Sequence, residues 1–120
     1  MKLYSVGIKE HNTFFTTYYL VECHRELLTL LDFAVNNESN DPDITIHSVM
    51  EVPGFQGNGK LVFTIDVRDP IKTSIPQSRP RQENIKTVTF LCSRYCELGD
   101  FLENNRWVSF RQSGVVSNYS

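Results

Sequence analysis

Cysteine is scarce in this chain. Cys23, Cys92 and Cys96 are an odd number and too few for a disulfide framework. They are expected to be reduced thiols in a cytosolic protein. Long apolar runs are missing as well. The longest, Leu27 to Val35, is broken by Thr29 and Asp32 and falls far short of the roughly 20 residues of a membrane-spanning helix. Near the N-terminus, Gly7, Lys9, Glu10 and His11 interrupt any signal-type apolar core. Neither sign of charge dominates. Twelve Lys and Arg face 14 Asp and Glu, for a net charge of -2. That balance excludes a generically basic nucleic-acid coat, and it is not acidic enough for a DNA mimic.

Catalytic signatures are absent too. There is no nucleophile elbow, no phosphate-cradling loop and no dinucleotide fingerprint. Gly54, Gly57 and Gly59 have the wrong spacing and no helix after them; the expectation there is a flexible linker. Cys92 and Cys96 are one four-spaced pair, whereas a zinc site needs two such pairs. Cys92 reads as a small core residue. Cys23 and His24 are adjacent on a helix, so their side chains diverge by about 100° and do not form a thiolate–imidazole couple. Glu22, Glu26, Asp32, Glu97, Asp100 and Glu103 read as solvated helix faces. A non-enzymatic protein with no cofactor and no metal is expected.

What the chain does contain is a weak internal repeat. Leu3-Tyr4-Ser5-Val6-Gly7-Ile8-Lys9-Glu10 matches Val62-Phe63-Thr64-Ile65-Asp66-Val67-Arg68-Asp69 in residue type at seven of eight positions. Only Gly7 against Asp66 departs. Thr17 to Val21 then matches Thr87 to Leu91. A helical stretch follows each, Cys23 to Asn37 and Ser93 to Asn105, and both end in an Asn-Asn pair. An alternating segment closes each unit, Ile44 to Val52 and Trp107 to Val115. Alternation at Tyr4, Val6, Ile8 and at Phe63, Ile65, Val67 is the period of a half-buried strand. Leu27, Leu28, Leu31, Ala34 and Val35, like Leu98, Phe101 and Leu102, fall at helical spacing. Ser93 is the expected N-cap of the second helix. The Asn pairs suit left-handed turns past each helix.

The expected fold is therefore α+β: two ββαβ-like halves forming one mostly antiparallel sheet, or a sandwich, with two helices. One domain spans 1–120, with pseudo-repeats 1–53 and 60–116 and a linker at 54–59. A half of about 55 residues is marginal alone, so the halves are expected to share a core.

Binding is the remaining class of function. If Tyr4, Val6 and Ile8 face the helices, the other sheet face is expected to carry Thr17, Tyr19, Thr45, His47, Thr64, Thr87, Thr89, Trp107 and Arg111. Tyr19, Trp107 and Arg111 supply aromatic and Arg anchors for a protein partner. The long Pro-containing connection from Pro70 to Asn84 adds Lys72, Ile75, Arg79 and Arg81. The alternative is single-stranded nucleic acid, stacked on the same face and held through its phosphates by Lys72, Arg79, Arg81 and Lys86. No membrane association is expected, and the protein is read as a monomer or homodimer.

At the level of architecture, Leu3 to Glu10, Thr17 to Asn37, Val62 to Asp69 and Thr87 to Asn105 resemble small duplicated strand-strand-helix-strand accessory proteins of phages and mobile elements. The resemblance covers about half the chain and carries no functional residue over. It implies stoichiometric binding, as an inhibitor or modulator of a host or defence protein.

Overall fold

A computed structural model describes residues 1–36, 44–69 and 84–119. The elements run β1 (Lys2–Glu10), β2 (Thr13–Val21), α1 (His24–Asn36), β3 (Ile44–Val52), β4 (Gln56–Gly57), β5 (Leu61–Asp69), β6 (Asn84–Cys92), α2 (Tyr95–Glu103) and β7 (Trp107–Val115). The α+β class and the strand-strand-helix-strand order of each half are as expected. The strands form two sheets, not one: β2-β1-β3 and β4-β6-β5-β7. Among the described residues no helix is long and apolar enough to cross a membrane.

Each half is built the same way. The first strand is central and pairs antiparallel with both the second and the third. Tyr4, Val6, Tyr19 and Val21 meet Leu27 and Leu31 of α1 in one buried cluster. Phe63, Ile65, Val67, Val88 and Cys92 meet Leu98 of α2 in another. Both helix starts use the same device, a first-turn Glu that reaches back to a backbone N–H just before the helix. Glu22 N–H donates to Glu26 Oε2 at 2.9 Å, and Ser93 N–H donates to Glu97 Oε2 at 2.8 Å. The N-cap of α2 is thus Arg94 rather than Ser93, with no side-chain cap of its own.

Two further expectations change. The pairings Leu3↔Leu20 and Val62↔Leu91 make Leu20 the counterpart of Leu91. The sequence match of Thr17 to Val21 with Thr87 to Leu91 is therefore one residue out of step. At the end of α2 no left-handed turn forms, since Asn104 has φ -91 and ψ -1. The Asn side chains themselves satisfy the last carbonyls: Asn104 Nδ2 donates to Asp100 O at 2.9 Å and Asn105 Nδ2 to Phe101 O at 2.7 Å. Asn37 lies outside the described residues.

The halves join end to end. A third cluster, of Leu3, Tyr18, Val62, Leu91 and Val116, unites the near ends of the sheets on the faces away from the helices. The Cα radius of gyration is 17.9 Å and the long axis 62 Å. A compact chain of this length would have a radius near 14 Å, and one nine-residue strand spans about 30 Å. The molecule is accordingly elongated.

The join is reciprocal. After β3, the arm containing β4 crosses to the second half and pairs parallel with β6, Gln56 against Phe90 and Gly57 against Leu91. After β7, the C-terminal arm crosses to the first half, where Val116 bridges Tyr18 in parallel and Ser117 N–H donates to Tyr18 O at 2.7 Å. Asn118 then clamps the Leu20 backbone, accepting from its N–H at 2.9 Å and donating to its carbonyl at 2.6 Å. The stretch expected to be a flexible linker is thus a packed arm. Gly57 has φ +82, and a Cβ there would sit 2.1 Å from Leu91 O. Glycine is required because the arm lies directly against the β6 backbone.

Candidate functional site

The faces of the two sheets follow from pairing, since directly opposed residues in antiparallel strands share a face. Tyr4 faces α1, and Tyr19 is its partner. Tyr19 is therefore core, only 7% exposed, and not the exposed anchor expected. It contributes to the floor of a hollow of about 310 Å³ at the end of α1, with Ile8, Phe15 and Ile46. Thr17, opposite Val6, is likewise buried.

Trp107 and Arg111 both lie on β7, but on opposite faces. Strict alternation would place 107, 109 and 111 together. The ladder to β5 instead pairs Asp66 with Ser109 and Val67 with Trp107. Val108 is left over as a bulge, which turns Trp107 to the helix side. The equivalent bulge in β3 falls at His47, between the pairs Gly7↔Ser48 and Ile8↔Ile46. The single face of Tyr19, Trp107 and Arg111 is not assembled. Lys72, Ile75, Arg79 and Arg81 lie outside the described residues.

In its place, the helix side of β7 carries a connected set of rings. Phe63 is buried and meets Tyr95 at 5.9 Å and Phe110 at 6.5 Å; Phe110 meets Trp107 at 5.5 Å, all edge to face. Tyr95 OH donates to Gln112 Oε1 at 3.2 Å. Tyr95 is 64%, Trp107 45% and Phe110 43% exposed. For Trp107 the cause is helix length: α1 has 13 residues and α2 only 9. The counterpart of Trp107 in the first half is Ile46, which packs against the α1 cluster. Tyr95 and Phe110 were not singled out from sequence. The aromatic content of α2 and β7 was the available signal, and the bulge hid their common face.

The other face of this sheet is polar. Asp66 stands on the central strand and accepts from Thr87 Oγ1 at 2.8 Å and from Ser109 Oγ at 3.1 Å. With Thr64 and Arg111 these residues line an open hollow of about 450 Å³. Chemically this is a carboxylate with both oxygens oriented by hydroxyl donors, suited to holding a cation or a donor fork.

No protein family, curated protein or solved structure matches this chain.

The three thiols sit in different environments. Burial pushes the Cys92 thiol up, and the carboxylate of Glu97 and the nearby Cys96 add to the effect. Cys92 is fully buried, whereas Cys23 and Cys96 are exposed. Among the described residues no three His, Cys, Asp or Glu side chains gather as a metal set.

Proposed function

We propose that this protein is a non-enzymatic protein-binding module whose contact surface is the ring set Tyr95, Trp107 and Phe110. The observation that carries the reading is that these rings are linked to one another through buried Phe63 and yet are each more than two-fifths exposed. Rigid Tyr and Trp side chains beside a supporting core are the residues that dominate binding energies at interfaces. Trp107 is retained from the expected anchors, Tyr19 is replaced, and Arg111 serves the opposite face. The role that fits is stoichiometric inhibition or modulation of a host or defence protein. Nucleic acid is the weaker reading, because Lys86 is the one described residue of the expected basic set and alone shares the Trp107 face, across Val67, while Arg111 lies on the other.

The test is affinity capture from lysate of the producing cells, with and without nuclease. The expected result is one protein recovered in near-equal amount with the bait under both conditions, and lost with the Tyr95→Ala/Trp107→Ala variant. Capture that disappears with nuclease, or survives the double substitution, refutes the proposal.

A further inference from the structure

The polar hollow and the free edge of β7 lie side by side, and together they describe a partner. β7 ends the order β4-β6-β5-β7, so its outer edge has no strand beside it among the described residues. Unpaired edges are templates for another strand. The regular run between its two bulges is Ser109-Phe110-Arg111-Gln112. Asp66 is oriented by Thr87 and Ser109, and no cation among the described residues pairs with it. Arg111, on the same face, likewise has no ionic partner among the described residues. The first half lacks this chemistry. Its counterparts of Asp66, Phe110 and Arg111 are Gly7, Val49 and Met50.

We infer that β7 pairs antiparallel with β7 of a second copy, centred on Phe110, with Arg111 of each copy reaching Asp66 of the other. An isologous pair of antiparallel strands needs a two-fold axis through one residue facing itself. Centring on Arg111 would oppose two guanidinium groups directly, which is destabilising. Centring on Phe110 sets ring against ring on the helix side and Arg111 opposite the partner's Ser109 on the polar side. Ser109 is itself paired with Asp66. From β5 across β7 to the partner strand is two strand spacings, about 10 Å, a gap that extended Arg and Asp side chains together cross. The guanidinium then enters the 450 Å³ hollow and meets a carboxylate whose two oxygens, each held by one hydroxyl, keep further lone pairs for a bidentate fork. The two-fold axis is perpendicular to the sheet, so both Trp107 side chains stay on one side of an eight-stranded assembly and the aromatic surface becomes bivalent.

The test is sedimentation velocity on the full chain over the micromolar range. The wild type is expected at twice its 13.9 kDa mass, dissociating as salt rises. Arg111→Glu sets two acidic pairs across the seam and Asp66→Lys sets two basic ones. Each is expected to weaken self-association about a hundredfold or more, with circular dichroism unchanged. Mixing the two variants restores opposite charges at both contacts and is expected to restore the dimer. Val49→Lys, on the β3 edge, leaves it intact. A monomeric wild type, a mixture that stays monomeric, or a dimer lost on Val49→Lys overturns the inference. Phe110 belongs to both surfaces, so the ring-set proposal is read separately, by capture with Tyr95→Ala/Trp107→Ala.

Discussion

Gly57 tests the crossing-arm architecture most directly. Replacing it with alanine adds one methyl group in a left-handed backbone, φ +82, with the new Cβ 2.1 Å from Leu91 O. Left-handed geometry costs an L-residue about 1–2 kcal/mol, and the loss of unfolded-state freedom offsets about 0.4–1 kcal/mol of that. The clash is with backbone of the facing strand, so the arm must lift from β6; overpacking of this kind costs about 1–3 kcal/mol more. Gly54 supplies the control. It has φ +69, and nothing lies within 4 Å of a Cβ built there. Gly54→Ala carries the same backbone and entropy effects without the clash. The difference between the two variants isolates the close approach and is expected at about 1–3 kcal/mol. Urea unfolding followed by circular dichroism reads it, provided the slope with denaturant is shared. Equal stabilities for Gly54→Ala and Gly57→Ala would refute the packed arm and return the segment to a loose linker.

Three other outcomes follow from the same geometry. Leu27→Ala and Leu98→Ala, at equivalent positions only 2% and 4% exposed, are each expected to cost about 2–5 kcal/mol. Leu28→Ala, at 55% exposure, should stay within about 0.5 kcal/mol in the same urea assay. Asn118→Ala removes both bonds to the Leu20 backbone and is expected to lower stability by about 1–3 kcal/mol; an unchanged midpoint would show that the C-terminal arm does not hold. Cys92 holds its proton more tightly folded than unfolded, above its ordinary 9.0. Its contribution to stability is therefore complete below that value and is lost as pH rises through the folded-state value. Native protein should label rapidly at Cys23 and Cys96 and at Cys92 only on unfolding, and Cys92→Val should flatten the alkaline fall in stability.

Local pattern made most elements of this fold legible. Strand alternation at Tyr4, Val6, Ile8 and at Phe63, Ile65, Val67 depends on the backbone period alone, as does the helical spacing of Leu27 and Leu31. β3 and β7 span the same residues in sequence and structure. The similarity of the halves was also readable, because like side chains in like order take up like secondary structure.

Faces and connections were not readable in this way. A bulge is one extra residue against a partner strand, and a strand taken alone gives no sign of Val108 being that residue. Yet it separates Trp107 from Arg111 and brings Trp107 to Phe110. The placement of Tyr19 turned on a one-residue step in register, which moves a side chain from solvent to core. Gly54, Gly57 and Gly59 look alike as linker glycines. Contact with β6 distinguishes Gly57 and Gly59 from Gly54, and that contact joins residues more than 30 apart in the chain. Periodicity is a property of neighbours along the chain and so lies in the order of residues. Register, bulges and crossing arms are properties of pairs of strands, and they exist only once the strands have met.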